Sequence, residues 1–167
     1  MFSAWQNLYQ MTGEAAATLI GLLFIVASLT AGRQHSPVHE RGMQLFTTPT
    51  VFHLVSVLVI SALTLVPDGE GFRTALMLGW AGFGVIYTTF LTVQLNRIEE
   101  PTHWSDFWCY GVAPTVVYLA LAGATSCAWA QLPHAAYFVA LCLIALLLVT
   151  IRNAWDLVTW LAPRRGQ

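Results

Sequence analysis

Long apolar runs separated by short polar breaks follow one another from end to end of this chain. Each of five runs has the roughly 17–25 residues that a helix needs to cross a hydrocarbon core about 30 Å thick. We predict membrane spans, numbered one to five, at residues 13–31, 50–66, 74–95, 107–130 and 135–151. The last continues as helix to residue 160. The pattern predicts an all-α membrane helix bundle that forms one domain over residues 1–167.

Proline marks where the second span begins. Ser36 and Pro37 have the pattern of an N-cap and first residue of a short amphipathic helix, which we expect to end near Thr47. Pro49 then predicts a bend or a new helix start. The first ten residues look like an interfacial segment ahead of span one.

Arginine is distributed unevenly over the two ends of these spans. One side has all but one of the 7 cationic residues, namely Arg33, Arg41, Arg97, Arg152, Arg164 and Arg165. The other side has only Arg73. The positive-inside rule therefore predicts an N-terminus outside and a C-terminus in the cytoplasm.

Aromatic residues suited to headgroup depth agree with that orientation. The predicted inner belt consists of Trp104, Trp108, Trp155 and Trp160. The predicted outer belt consists of Trp5, Tyr9, Trp129 and Tyr137.

Composition supports a membrane protein and excludes several functions. Hydrophobic residues make up 57% of the chain and charged residues 9%, whereas soluble domains carry about a quarter charged residues. A net charge of −1 provides no basic field for nucleic acid. The chain has no glycine-rich phosphate loop, zinc-protease helix motif or nucleophile elbow. We therefore expect no catalytic residue, metal or cofactor.

Span one carries the most informative pattern. Gly13, Ala17 and Gly21 repeat at four-residue intervals, a small-residue pattern that lets another helix approach closely. Glu14 and Thr18 lie beside this face. The face either packs against another helix or lines a polar path through a homo-oligomer. Glu14 is accordingly an interfacial acid near a helix N-terminus or a proton or cation site at the outer mouth of such a path.

Residues 12–26, TGEAAATLIGLLFIV, also resemble the first helix of a family of small, uncharacterised bacterial multi-pass membrane proteins. A fainter likeness continues through Phe52 and His53 to Val66 and Pro67. The family has no settled activity. The resemblance implies a place in the bacterial cytoplasmic membrane and no catalytic role.

His53 is the ionisable residue that we predict to lie deepest, about one turn inside the cytoplasmic end of span two. Ser56 lies on the same side of that helix. We expect His53 to bond to a neighbouring helix, and the expected partners at the inner end of span three are Thr88, Thr89, Thr92, Gln94 and Asn96. The alternative is a titratable gate, since imidazole changes charge near neutral pH.

Arg152, Asn153 and Asp156 form a polar cluster after the apolar part of span five. The spacing allows Arg152 and Asp156 to pair on one helix face. The cluster marks the end of the span, or else holds a lipid phosphate or an anion at an inner vestibule.

These patterns favour a small self-associating protein of the lipid bilayer, either pore-like or an accessory subunit bound to another membrane protein. One alternative is a membrane redox or lipid-modifying enzyme that uses His53. Another is a partner-binding protein that acts through cytoplasmic residues 32–44 and 161–167.

Overall fold

The computed structural model describes residues 2–30, 37–67, 69–96 and 107–161, and their regular structure is helical. Five long helices follow in chain order: α1 (Gln6–Thr30), α2 (Pro37–Leu65), α3 (Glu70–Leu95), α4 (Ala113–Trp129) and α5 (Ala135–Leu161). A 3₁₀ turn (Phe2–Trp5) precedes α1, and a π-helical turn (Phe107–Val112) leads into α4. In this described part of the chain, five helices are long and apolar enough to cross a membrane. The predicted multi-pass helical bundle is confirmed, and its orientation stays a prediction.

The N-terminal segment is part of the bundle. Its apolar stretch runs from Phe2 to Leu29, earlier than the predicted start at residue 13. Tyr9 is fully buried, and its hydroxyl donates a hydrogen bond to the Ala136 carbonyl at 2.5 Å. A tyrosine hydroxyl that finds a protein acceptor can be buried with its ring, so Tyr9 packs inside the bundle, and its depth in an outer aromatic belt stays a prediction. Trp5 packs against Tyr137, with ring centroids 5.5 Å apart.

Helix α2 begins at Pro37, as predicted, but it does not end near Thr47. It continues through Pro49 to Leu65 as one helix. A proline inside a helix removes one backbone donor, and such a loss is tolerated in transmembrane helices when neighbouring groups compensate for it. The prediction of a separate short helix ahead of span two is thus wrong.

Helices α2 and α5 occupy the centre of the bundle. They pack against each other, and α1 packs against both of them; α4 packs between α5 and α3, while α2 and α3 touch only lightly. In the apolar stretch of α2, 50% of residues are buried, against 22% in that of α1. Helix α1 is therefore attached to the outside of the bundle and exposes most of its surface.

Arg73, the single arginine predicted outside, is a packing residue. It is buried, with its guanidinium carbon 5.0 Å from the centre of the Phe2 ring. Its Nη1 donates to the Val66 carbonyl at 2.6 Å, and Glu70 lies 3.6 Å from Nη2. Arg73 therefore fixes the N-terminal turn against the start of α3.

Several predictions fall outside the described residues. These include the arginines at 33, 97, 164 and 165, the tryptophan at 104, residues 32–36 of the first segment and residues 162–167 of the second.

Candidate functional site

A buried hydrogen-bond network joins α2, α3 and α4 near the middle of the bundle. His53 Nδ1 lies 3.1 Å from the hydroxyl of Tyr118. That hydroxyl donates to Ser56 Oγ at 2.7 Å, and the indole N–H of Trp80 donates to the same oxygen at 3.0 Å. The structure thus brings together His53 and Ser56, as the sequence predicted, and adds two aromatic residues from other helices.

The partner of His53 is Tyr118 on α4, so the hydroxyls and amides expected from span three are the wrong partners. The Thr88 hydroxyl donates to the Gly84 carbonyl at 2.9 Å, and the Thr92 hydroxyl to the Thr88 carbonyl at 2.7 Å. Threonine in a helix commonly bonds back to the preceding turn in this way. The remaining expected partners are exposed on α3 or at its end: Thr89, Gln94 and Asn96.

Gly84 makes room for the Tyr118 ring. A Cβ atom at position 84 would lie 2.8 Å from Cγ of Tyr118 and closer still to two other ring carbons. Glycine therefore lets α4 bring a large side chain against the backbone of α3.

Sequence reasoning missed Trp80 and Tyr118, although a signal was present. Both lie near the middle of apolar stretches, Glu70–Leu95 and Phe107–Trp129, far from the interfacial depth that Trp and Tyr prefer. A polar group at that depth must find a protein partner because hydrocarbon offers none. Their position alone could have indicated a buried network.

The directions of these bonds fix the state of the imidazole. The Ser56 hydroxyl donates to the Phe52 carbonyl at 2.9 Å, so its oxygen accepts from Trp80 and Tyr118. Since the Tyr118 hydroxyl donates its hydrogen bond to Ser56, its oxygen accepts one from His53. Nδ1 of His53 must therefore carry a hydrogen. The neutral ring then has its lone pair on Nε2.

Nε2 of His53 is buried and has no hydrogen-bond partner among the described residues. An unsatisfied buried polar atom costs about 1–3 kcal/mol. The network itself ends on the Phe52 carbonyl and on the indole of Trp80, neither of which relays protons. The arrangement therefore presents an acceptor inside the bundle, and this set of bonds provides no continuous proton path.

Aromatic rings lie between this network and the surface. The ring of Phe52 has its centroid 4.4 Å from that of Tyr87, 5.7 Å from that of Phe83 and 5.7 Å from that of His53. Phe83 is 54% exposed. These rings fill the space where α2 and α3 are only lightly packed.

Glu14 and Thr18 lie apart from His53, on the outward side of α1. Both are exposed. Glu14 accepts a hydrogen bond from Gln10 at 3.0 Å, and the Thr18 hydroxyl donates to the Glu14 backbone carbonyl at 2.8 Å. Tyr9 contacts the start of α5, and Glu14 follows five residues later, roughly 7–8 Å further in at 1.5 Å per residue. Along the helix axis, Glu14 thus lies more than one turn beyond the contact between Tyr9 and α5.

The small residues of α1 divide between two faces. Gly13 is buried against α2, where a Cβ atom would lie 3.1 Å from Cβ of Ser61. Ala17 and Gly21 are exposed, and a Cβ atom on Gly21 would meet nothing within 4 Å. Of these three residues, Gly13 is the one that is buried against another helix of the described bundle.

The polar cluster on α5 combines an ion pair with a buried clamp. Arg152 and Asp156 pair at 2.9 Å, as predicted. Asn153 is fully buried; its side-chain amide donates to the Cys109 carbonyl at 3.0 Å, and its backbone carbonyl accepts from the Tyr110 hydroxyl at 2.9 Å. Asn153 thus holds the π-helical turn against α5, while the charge of Arg152 is matched by Asp156.

No group of three or more His, Cys, Asp or Glu residues that could hold a metal ion occurs in the described ranges. Comparisons of the chain with protein-family models, with curated proteins and with solved structures find no match. The resemblance of the first helix to small bacterial multi-pass proteins stays a prediction.

Proposed function

We propose that this protein is a small self-associating membrane protein whose copies meet through the outward face of α1. One observation carries the proposal: several polar and small residues of α1 are exposed on the side that faces away from its own bundle. The exposed members of this outward face are Gln10, Glu14, Ala17, Thr18, Gly21 and Ser28. The buried side of the helix carries Tyr9, Thr12, Ala16 and Leu23.

Such a face is unfavourable against lipid tails. A carboxyl group and an amide inside the apolar part of a membrane are costly, and Gln10 and Glu14 here have each other as partners on the same helix. A second helix would remove part of their lipid exposure. The small side chains of Ala17 and Gly21 would let its backbone approach closely, which is how membrane helices gain packing energy.

A second copy of the chain is the partner that fits best. Copies in one membrane share one orientation, so a two-fold axis along the membrane normal brings identical α1 faces together. Gln10 of each copy then lies at the depth of Gln10 of the other, and Gly21 likewise. Because the buried hydroxyls of α2 face its own bundle, as those of Ser56, Ser61 and Thr64 do, any central path would be lined by α1.

Self-association can be measured with dye-labelled protein in liposomes. We expect energy transfer between copies of the parent and a loss of at least about tenfold in association for Gly21→Leu, because small-residue contacts set the helix separation. Gly123→Leu is the matched control: Gly123 is also exposed in an apolar span with nothing within 4 Å of its Cβ position. Equal association of both variants and the parent would contradict the proposal.

Ion flux then separates a pore from an accessory subunit. Liposomes with the parent, Glu14→Gln or His53→Ala are compared for proton and cation flux. A pore lined by α1 predicts measurable flux that Glu14→Gln alters and His53→Ala does not, because His53 lies inside the bundle. Equal and negligible flux in all three would reject the pore and favour the accessory role.

A further inference from the structure

The direction of each hydrogen bond in the network between α2, α3 and α4 determines what the network can bind. The Trp80 indole can only donate, the Ser56 hydroxyl donates a hydrogen bond to the Phe52 carbonyl, and the Tyr118 hydroxyl donates one to Ser56. His53 must therefore donate from Nδ1, and the atom left over is an acceptor. A molecule recognised at Nε2 must bring a hydrogen-bond donor.

The surroundings of His53 restrict that molecule further. Among the described residues, none of the hydrogen-bonding or ring partners of the network is charged. Glu14 pairs with Gln10 on α1, and Arg152 pairs with Asp156 on α5. An ion would find no counter-charge here, so the molecule must be neutral.

The side chains along the α2–α3 contact favour a flat ring. Phe52 touches exposed Phe83 on one side and His53 on the other, with centroid distances of 5.7 Å to each. It also stacks on Trp80, with ring planes 16° apart. A ring entering from the lipid would exchange aromatic contacts with these side chains, at a place where the backbones of α2 and α3 pack less closely than those of α1 and α2.

We propose that this network is a binding site for an uncharged, lipid-soluble phenol or hydroquinone, whose hydroxyl donates to Nε2 of His53. The ligand enters from the membrane between α2 and α3, and the ring of Phe52 turns aside to admit it. This site lies on other helices than the α1 face and does not depend on self-association.

The test uses the full-length protein in lipid nanodiscs with ¹⁵N-labelled imidazole rings. The probe is 2-decyl-1,4-hydroquinone, kept reduced under nitrogen, and its 1,4-dimethyl ether has the same ring and tail without a donor. His53 signals are assigned from the spectrum of His53→Gln. We expect an unprotonated Nε2 in the free protein, whose resonance shifts on addition of the hydroquinone until it saturates.

The hydroquinone should bind at least about tenfold more tightly than the dimethyl ether, since the ether leaves Nε2 unpaired. His53→Gln should lose about the same factor, whereas Phe138→Leu, a change at an exposed phenylalanine on α5, should bind like the parent. The affinities of the two probes are compared on the parent alone, so this comparison stands even if His53→Gln does not fold.

Three results would overturn the proposal of this binding site. One is equal affinity for hydroquinone and ether, and another is an Nε2 resonance that does not move at saturation. The third is a haem absorption band in the purified parent that disappears in His53→Gln, because the haem iron would then be bound to Nε2 of His53.

Discussion

Tyr118 carries its hydroxyl into the middle of the bundle, where the side chain is fully buried. It can lie there because Gly84 leaves space for the ring and because Ser56 and His53 satisfy the oxygen. The position of one large side chain thus depends on the absence of a side chain on the facing helix.

Gly84→Ala should therefore destabilise the protein. The new Cβ atom would overlap the Tyr118 ring, and overpacking of this kind costs about 1–3 kcal/mol. Stability is measured by unfolding in mixed micelles with increasing fraction of SDS. Gly79→Ala, on the same helix, is the control, because its Cβ would meet nothing within 4 Å. Equal stability of the two variants would show that the ring moves aside without loss.

At this scale the sequence predicted which residue is unusual but not what it touches. His53 was expected to bond to a neighbouring helix, and it does so through Tyr118. Its partner could not be identified because side chains on three helices decide it, and only the packing of α4 against α3 brings Tyr118 within reach. A tyrosine in the middle of a span indicates a buried hydrogen-bond partner, as the histidine does, although its hydroxyl is easier to overlook in an apolar sequence.

Helix α1 has two faces with different tasks. Gly13 brings it close to α2, where the hydroxyls of Thr12 and Ser61 lie 3.0 Å apart. Ala17 and Gly21 lie on the exposed surface. A single small-residue pattern in the sequence thus serves the fold at one position and, in our proposal, self-association at others.

Large substitutions should separate these tasks. Gly13→Leu should destabilise the folded chain by about 1–3 kcal/mol, because the side chain would push α1 away from Ser61. Gly21→Leu should leave stability within about 0.5 kcal/mol, as expected for a surface change, while it weakens association. Unfolding in SDS mixed micelles measures the first effect for both variants. A large loss of stability in Gly21→Leu would show that this position packs inside the chain.

The π-helical turn ahead of α4 depends on Asn153. Its amide satisfies the Cys109 carbonyl across the gap between α4 and α5, and π-helical turns are uncommon enough to need such support. The sequence indicated a polar residue near the end of a span. It could not indicate this clamp, because the acceptor is a backbone carbonyl 44 residues away.

Asn153→Ala should loosen this turn and raise the reactivity of Cys109 toward a small maleimide. Losing a buried partner of this kind costs about 1–3 kcal/mol. Cys127, also half-buried but near the end of α4, provides the internal reference. Thr159→Ala, on the exposed side of α5, should change neither thiol. Unchanged reactivity of Cys109 in Asn153→Ala would mean that the turn holds without the clamp.

The number of spans is the property of the whole molecule that the sequence predicted best. Length and apolarity alone indicate a span, and both are local. The continuous course of α2 through Pro49 and the burial of Tyr9 were missed because contacts with other helices decide them. The orientation depends on the distribution of arginine, and burial of Arg73 beneath Phe2 means that the sole arginine on the predicted outer side is engaged inside the fold.

We therefore expect the two termini on opposite faces of the membrane, with the N-terminus outside. Epitope tags at each end can be probed with antibodies on intact and permeabilised spheroplasts. The N-terminal tag should be accessible in both samples and the C-terminal tag only after permeabilisation. Tags on one face would show that the number of crossings is even, and a reversed result would overturn the orientation alone.

The attachment of Tyr9 to Ala136 has a consequence for biosynthesis. Tyr9 of α1 finds its acceptor at the beginning of α5, so this contact can form only after α2, α3, α4 and the start of α5 have emerged from the ribosome. Until then Phe2 and Tyr9 lack their packing against α5. A chain truncated before α5 should accordingly keep the residues around Tyr9 accessible to quality-control proteases, and synthesis of α5 would complete the packing of this segment.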